Sequence, residues 1–269
     1  MVSCKSCGNA FEGNYCKQCG EKVLVPADRS LRTLLNTITR AITFADNKLV
    51  HTLGLMLRKP GFVSAEFTEG RRVKYLPPIS VFFVLNLIYF FFPLIQLFNA
   101  SLNTQLLSLF GGWLRGPLTT AVLQQGVNLE TFTLLYNLKT VGLAKLMVML
   151  FVLLASLPLN VLYRRSNRYF TDHVDYMVEV ACFNLFVNAI VLTLIINLTG
   201  LGSRVNELTL TIIFIMTNLY FLIRSGYTFY TESSWRLVIK SVLMIGLMKL
   251  ALEVYRLILF FLTLWTMQR

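Results

Sequence analysis

Charge is scarce in this chain, and acidic charge above all. Its 269 residues include 13 Asp and Glu against 25 Lys and Arg, and charged residues make up 14% of the whole. A soluble domain carries about a quarter, so a fold wetted on every side is excluded. Catalytic signatures are missing too. There is no phosphate-cradling Gly loop, no dinucleotide fingerprint, no serine-hydrolase elbow and no His-Glu-x-x-His. No catalytic residue is therefore assigned, and the expectation is a protein that is not an enzyme. Nothing like a signal peptide precedes Cys4, and the first long apolar run begins only near Ile79. A reducing compartment is expected for the N-terminus.

What is abundant is apolar. Hydrophobic residues make up 55%, with 21 Phe, a composition that points to a polytopic α-helical membrane protein. Five spans are expected at about 79–98, 141–163, 176–198, 208–223 and 241–265, within a transmembrane domain 75–269. Loop 99–140, with Gly111, Gly112, Gly116 and Pro117, is read as an extracytoplasmic cap, re-entrant or surface-lying. Arg164, Arg165 and Arg168 follow the second span, and Arg224, Arg236 and Lys240 lie between the fourth and fifth. Positive loops stay cytosolic. This places the N-terminus inside and the C-terminus outside.

The head of the chain is of a different kind. Cys4-x-x-Cys7 and Cys16-x-x-Cys19 each have the two-residue gap that lets both thiolates reach one metal, and Gly8 and Gly20 follow them. A zinc knuckle turns back after its second Cys, and Gly tolerates the positive φ this needs. Gly13 and Asn14 form a natural turn between the pairs. Residues 1–22 are read as a small four-Cys zinc ribbon, with structural zinc supplying the folding energy. Paired disulfides are the competing reading, disfavoured in a reducing compartment. Four thiolates leave no open position for catalysis. The fifth cysteine, Cys182, lies in an apolar helix and is read as packing.

A linker, 23–28, leads to a basic amphipathic segment, 29–74. Leu31, Leu34, Leu35, Ile38, Ile42, Ala45, Leu49, Leu53 and Met56 fall on one helical stripe. Such a helix lies on the cytosolic leaflet or packs on the protein's own surface. Arg58, Lys59, Arg71, Arg72 and Lys74 are the basic residues expected to meet the membrane surface. A basic chain with a zinc ribbon also suggests nucleic acid. Here the cations flank lipid-spanning segments, so anionic headgroups are the expected partner and nucleic acid is not. Pro77 and Pro78 suit a helix start.

Ionisable residues inside spans are costly and face the bundle interior. Asp172, Asp175 and Glu179 share one helix face, with His173 beside them. Lys249, Glu253 and Arg256 share another, with Gly246 allowing close helix approach. The expectation is that the acidic stripe pairs with the basic residues of span five, with Lys145 joining the cluster. Asn86, Tyr89, Pro93 and Gln96 add a polar line on span one. The plain reading is structural ion pairing. The alternatives are a transporter, channel or lipid-handling pathway through these charges, or a membrane enzyme with a metal at Asp172, His173, Asp175 and Glu179.

The CxxCG…YCxxCG head, the run RKPG (Arg58–Gly61), the run EGRRVKYLPPISVFF (Glu69–Phe83) and the run RRSNRYFTDH (Arg164–His173) together resemble a bacterial family catalogued as a domain of unknown function. Its members are zinc-ribbon-headed and polytopic. The resemblance implies a bacterial inner-membrane location and no known activity. The chain departs from the pattern at Glu21, and at Glu179 and Ala181, where similar proteins carry histidine; only His173 carries over. The function expected is a non-catalytic membrane scaffold or adaptor whose cytosolic ribbon docks a protein partner. A homo-oligomer is compatible with this reading.

Overall fold

The structure is a computed structural model that describes residues 2–3, 8–15, 17–18, 48–69, 74–92, 95, 97–166, 168–200 and 206–268. Cys4, Cys7, Cys16, Cys19, Arg71 and Arg72 lie outside the described residues. The chain divides into two units, Met1–Lys48 and Leu49–Arg269.

In the first unit, β1 (Val2–Ser3) pairs antiparallel with β2 (Ala10–Phe11), with Val2 opposite Phe11 and Ser3 opposite Ala10. Gly8 and Gly13 both take positive φ, at 74° and 115°. Gly8 is the residue expected to turn the chain after Cys7. Positive φ is open to Gly at no steric cost.

Among the described residues of the second unit, all the regular secondary structure is helical. Residues 49–58 form α1. Leu49 and Leu53, on the predicted stripe, pack against the core, and Met56 is fully buried. Over these residues the amphipathic helix lies on the protein's own body. Then come α2 (Phe62–Thr68) and α3 (Pro78–Phe91). The prolines sit at the start of α3, where a missing N–H costs nothing. The helix ends earlier than the span expected at 79–98. Phe92 is extended, at φ −99° and ψ 148°. The next residue in sequence is Pro93, which pushes its predecessor out of the helical region. Fourteen residues span about 21 Å, short of the hydrocarbon thickness.

The segment 99–140, expected as a loop, is mostly helical: α4 (Leu102–Leu106), α5 (Gly111–Gln125) and the greater part of α6 (Leu129–Leu146). Ser101 and Asn128 cap α4 and α6 with their side chains. These helices close a small core of their own around Leu114, Leu118, Phe132 and Tyr136, which takes in Phe260 and Leu264. The span expected at 141–163 is not one straight helix. It consists of the end of α6 and α7 (Val148–Leu162), bent by 62° at Met147.

Next, α8 (Phe170–Phe183), a π-helical stretch (Asn184–Val191) and α9 (Leu192–Thr199) make one continuous rod. It is followed by α10 (Glu207–Phe229) and α11 (Trp235–Met267). The rod Phe170–Thr199 and the α10 segment Leu208–Phe229 are each long and apolar enough to cross a membrane; α6 with α7 makes a third if the bent pair counts as one. The charges of α11 do not break it. It runs unbroken for 33 residues, because Lys249 and Glu253, four apart, and Arg256, three further on, satisfy one another along the helix.

Candidate functional site

The best-defined polar site is built from the turn between α1 and α2. Gly61 has φ 80°, and a Cβ placed on it would meet the Ser225 carbonyl oxygen at 2.8 Å and Ser225 Cβ at 2.9 Å. Only Gly meets both demands. The turn points the first amides of α2 at α8. There the Glu179 carboxylate, with no exposed surface, accepts from Gly61 N at 2.8 Å and Ser64 N at 2.8 Å. The Ser64 hydroxyl donates to the same carboxylate. An acid supplied by a distant helix thus caps α2, whose own Gly61 gives no side-chain cap. The N-terminal amides and the helix dipole favour the anion there.

Around this anchor lies an aromatic cluster. Tyr176 shares a hydrogen bond with Ser225 at 2.6 Å. His173 is fully buried, and its Nδ1 meets Tyr230 Oη at 2.8 Å. Its Nε2 has no partner among the described residues. Tyr230 stacks on Tyr163, with ring centroids 3.7 Å apart. Burial holds the Tyr163 and Tyr230 phenols well above the usual phenol range, so both are neutral hydroxyls. Arg168 donates to Thr68 Oγ1 and the Phe229 carbonyl and lies over the Phe229 ring. Lys240 bonds both oxygens of Glu232 and sits 4.4 Å over the Tyr163 ring. Thr231, in the turn to α11, takes φ 54°, a strained conformation for a β-branched residue. Arg168 and Lys240 thus tie α2, α7, α10 and α11 together at one end.

The expected pairing between spans three and five is not what forms. Glu179 goes to α2, and Asp172 caps its own helix by accepting from Tyr169 N at 3.0 Å. The Asp175 carbonyl accepts from the Ser64 hydroxyl. On α11 the ions pair with each other: Lys249 with Glu253 at 2.7 Å, and Arg256 with Glu253 at 3.6 Å. Lys145 is separate again. It is buried and donates to the Phe90 carbonyl at 2.9 Å, capping the end of α3. The physical reason is backbone demand. The start of α2 and the end of α3 leave unpaired amides and carbonyls, and these claim the charges first. No group of three or more His, Cys, Asp or Glu among the described residues is arranged to hold a metal. The expected set of Asp172, His173, Asp175 and Glu179 is therefore dispersed.

Several contributors carried a sequence signal that charge alone does not reveal. Asn184 and Asn218 exchange amide hydrogen bonds at 2.9 Å each way between the π-helical stretch and α10. Asn188 and Thr217 extend the ladder. Amides in apolar helices are the membrane's usual interhelical contacts. At the 62° bend, Asn86 Nδ2 donates to the Lys145 carbonyl and Tyr255 Oη to that of Ala144. These bonds satisfy carbonyls that the break would otherwise leave bare. Glu253 Oε2, Arg256 Nε and the Asn99 and Asn86 Oδ1 atoms are buried without a partner among the described residues. Two open clefts are present, of about 420 and 390 Å³. They flank the end of α11 near Gln124, Trp265 and Lys139, and neither is lined by the buried charges.

Residues 46–90 match the model of a family described as a protein of unknown function (DUF3667). The match covers α1, the Gly61 turn, Ser64 and nearly all of α3. It therefore includes the α2 side of the Glu179 anchor and leaves out Glu179 itself. No curated protein and no solved structure matches the chain.

Proposed function

We propose that this protein is a non-catalytic integral membrane scaffold. In this reading a cytosolic ribbon, with structural zinc on Cys4, Cys7, Cys16 and Cys19, recruits a protein partner to a five-pass membrane body. The family resemblance suggests a bacterial inner membrane. The passes are α3, α7, the rod α8–α9, α10 and α11. The segment with Arg164, Arg165 and Arg168 and the one with Arg224, Arg236 and Lys240 are cytosolic by the positive-inside tendency.

The observation that carries the reading is how the charges within the apolar helices are used. Glu179 is bound by three donors of α2, Lys145 by the end of α3, and Lys249 and Arg256 by Glu253. Charges already held by backbone or by each other hold helices in place and need no ligand. The exposed cations Arg58, Lys59, Lys74, Arg164 and Arg165 suit an anionic leaflet. The test is affinity capture from membranes with the intact chain and with Cys16→Ser. The partner set should shrink with the variant, and an unchanged set sinks the scaffold reading. A transporter, channel or lipid-handling pathway is the second reading, favoured by Glu253 Oε2, Arg256 Nε and Asn99 Oδ1, buried without a partner among the described residues. Liposome flux that Glu253→Gln abolishes would establish it instead.

A further inference from the structure

The corner at Met147 sets where α6 lies. Its two freed carbonyls are held by Asn86 of α3 and Tyr255 of α11, so the 62° bend is a braced angle. Membrane helices tilt by about 20° on average. If α7 crosses at such a tilt, α6 is inclined by roughly 40–80° from the membrane normal and runs along the surface. Its depth follows from α11. Tyr255 lies 20 residues beyond Trp235, which is about 30 Å of helix, the thickness of the hydrocarbon core. Hence the corner sits at the far boundary of the hydrocarbon.

The two faces of α6 differ. Phe132, Tyr136, Thr140 and Ala144 are buried, with Tyr136 against Phe260 and Thr140 bonded to Thr263 of α11. The other face shows Leu134, Leu135 and Leu138, the last 76% exposed, and Leu146 at the corner is also exposed. Beyond the corner, α7 also exposes apolar side chains, Leu153, Leu157 and Val161. Leu134, Leu135, Leu138 and Leu146 exposed together are too costly for water to be the intended neighbour. Together α6 and α7 are apolar enough to pass as one broken span, and this identifies the occupant as lipid.

We propose that α6 is an interfacial helix of the non-cytosolic leaflet, with Leu134, Leu135 and Leu138 in the acyl boundary. The far side of the protein is then anchored in lipid and does not stand clear of it. This rests on the reading of α7, the rod α8–α9 and α11 as spans. The test uses the full chain in nanodiscs. Trp113, Trp235 and Trp265, the three native tryptophans, are replaced by Phe, and one reporter is added: Leu138→Trp, Leu135→Trp, or Leu194→Trp on the exposed face of α9. The expected result is loss of fluorescence with brominated phosphatidylcholine, for either α6 reporter, comparable to that of the α9 reporter, with little loss to aqueous acrylamide. Quenching of both α6 reporters by acrylamide instead overturns the proposal in favour of solvent. Quenching by neither overturns it in favour of a second copy covering the stripe. If the α9 reporter also ignores brominated lipid, the membrane reading itself fails, a result distinct from failure at α6 alone.

Discussion

Replacing Glu179 by Gln should loosen the α1–α2 turn far more than the loss of one negative charge suggests. Three donors converge on the carboxylate: Gly61 N, Ser64 N and the Ser64 hydroxyl. All lie in a buried setting, so none can turn to water. Gln keeps one acceptor oxygen and places an NH₂ group where the second was. At least one backbone N–H then faces another donor and stays unsatisfied, which costs about 1–3 kcal/mol. The bonds that survive lose their charge assistance, a further ~1 kcal/mol. The sum is about 2–4 kcal/mol, offset in part because a buried charge no longer has to be desolvated. Hydrogen exchange in nanodiscs is the assay, since it reads the amides of α2 directly. Protection should fall across Gly61–Thr68 and stay unchanged in α10. Ser64→Ala removes one donor and should cost less. In the double variant the two losses should fall short of additive, as expected for groups sharing one bond network. Unaltered protection of Gly61 and Ser64 in Glu179→Gln would refute the anchoring argument.

Gly61→Ala should destabilise by more than about 1 kcal/mol, because the new Cβ meets Ser225 backbone at 2.8 Å in a left-handed turn; thermal unfolding in detergent reads this, with Gly112→Ala, which meets nothing within 4 Å, as the neutral control. Asn184→Leu and Asn218→Leu should each cost about 0.6–2 kcal/mol, and the double variant little more than either alone, because the two amides pair with each other. The purified chain should carry one zinc per protein by elemental analysis, and Cys4→Ser or Cys19→Ser should remove it; full zinc retention in both would reject the four-thiolate site.

Sequence pattern reached the elements better than their partners. The arginine-to-apolar transition after Arg168 marked α8, and Pro77–Pro78 the start of α3, whereas α10 runs through Arg224 to Phe229, past the end expected at 223. Pro93 held the signal for the end of α3, but a hydropathy window reads through a single proline. Nothing near Met147 announces the bend. Gly142 lies five residues away, and Pro158, a stronger breaker on paper, sits inside α7 without ending it. The bend exists because Asn86 and Tyr255, from elements 59 and 111 residues away in sequence, supply the hydrogen bonds that make a break affordable. Local sequence cannot register that support.

The charged residues show the same limit from another side. Helical spacing correctly groups Asp172, Asp175 and Glu179 on one strip, since residues three and four apart share a face. It leaves open which neighbour that face meets. Opposite charges on another span look like the natural partner, and in lipid an ion pair is one good solution. Yet backbone groups at helix ends have prior need, because each bare amide or carbonyl is as costly in lipid as an unpaired side chain. Glu179 and Lys145 answer that need at the start of α2 and the end of α3. The Gly61 turn and Glu179 are therefore one device divided between two parts of the chain, 118 residues apart. A change on one side should be tolerated only with a compensating change on the other. A basic or apolar residue at position 179 would leave the α2 amides without an acceptor, whatever charges α11 offers.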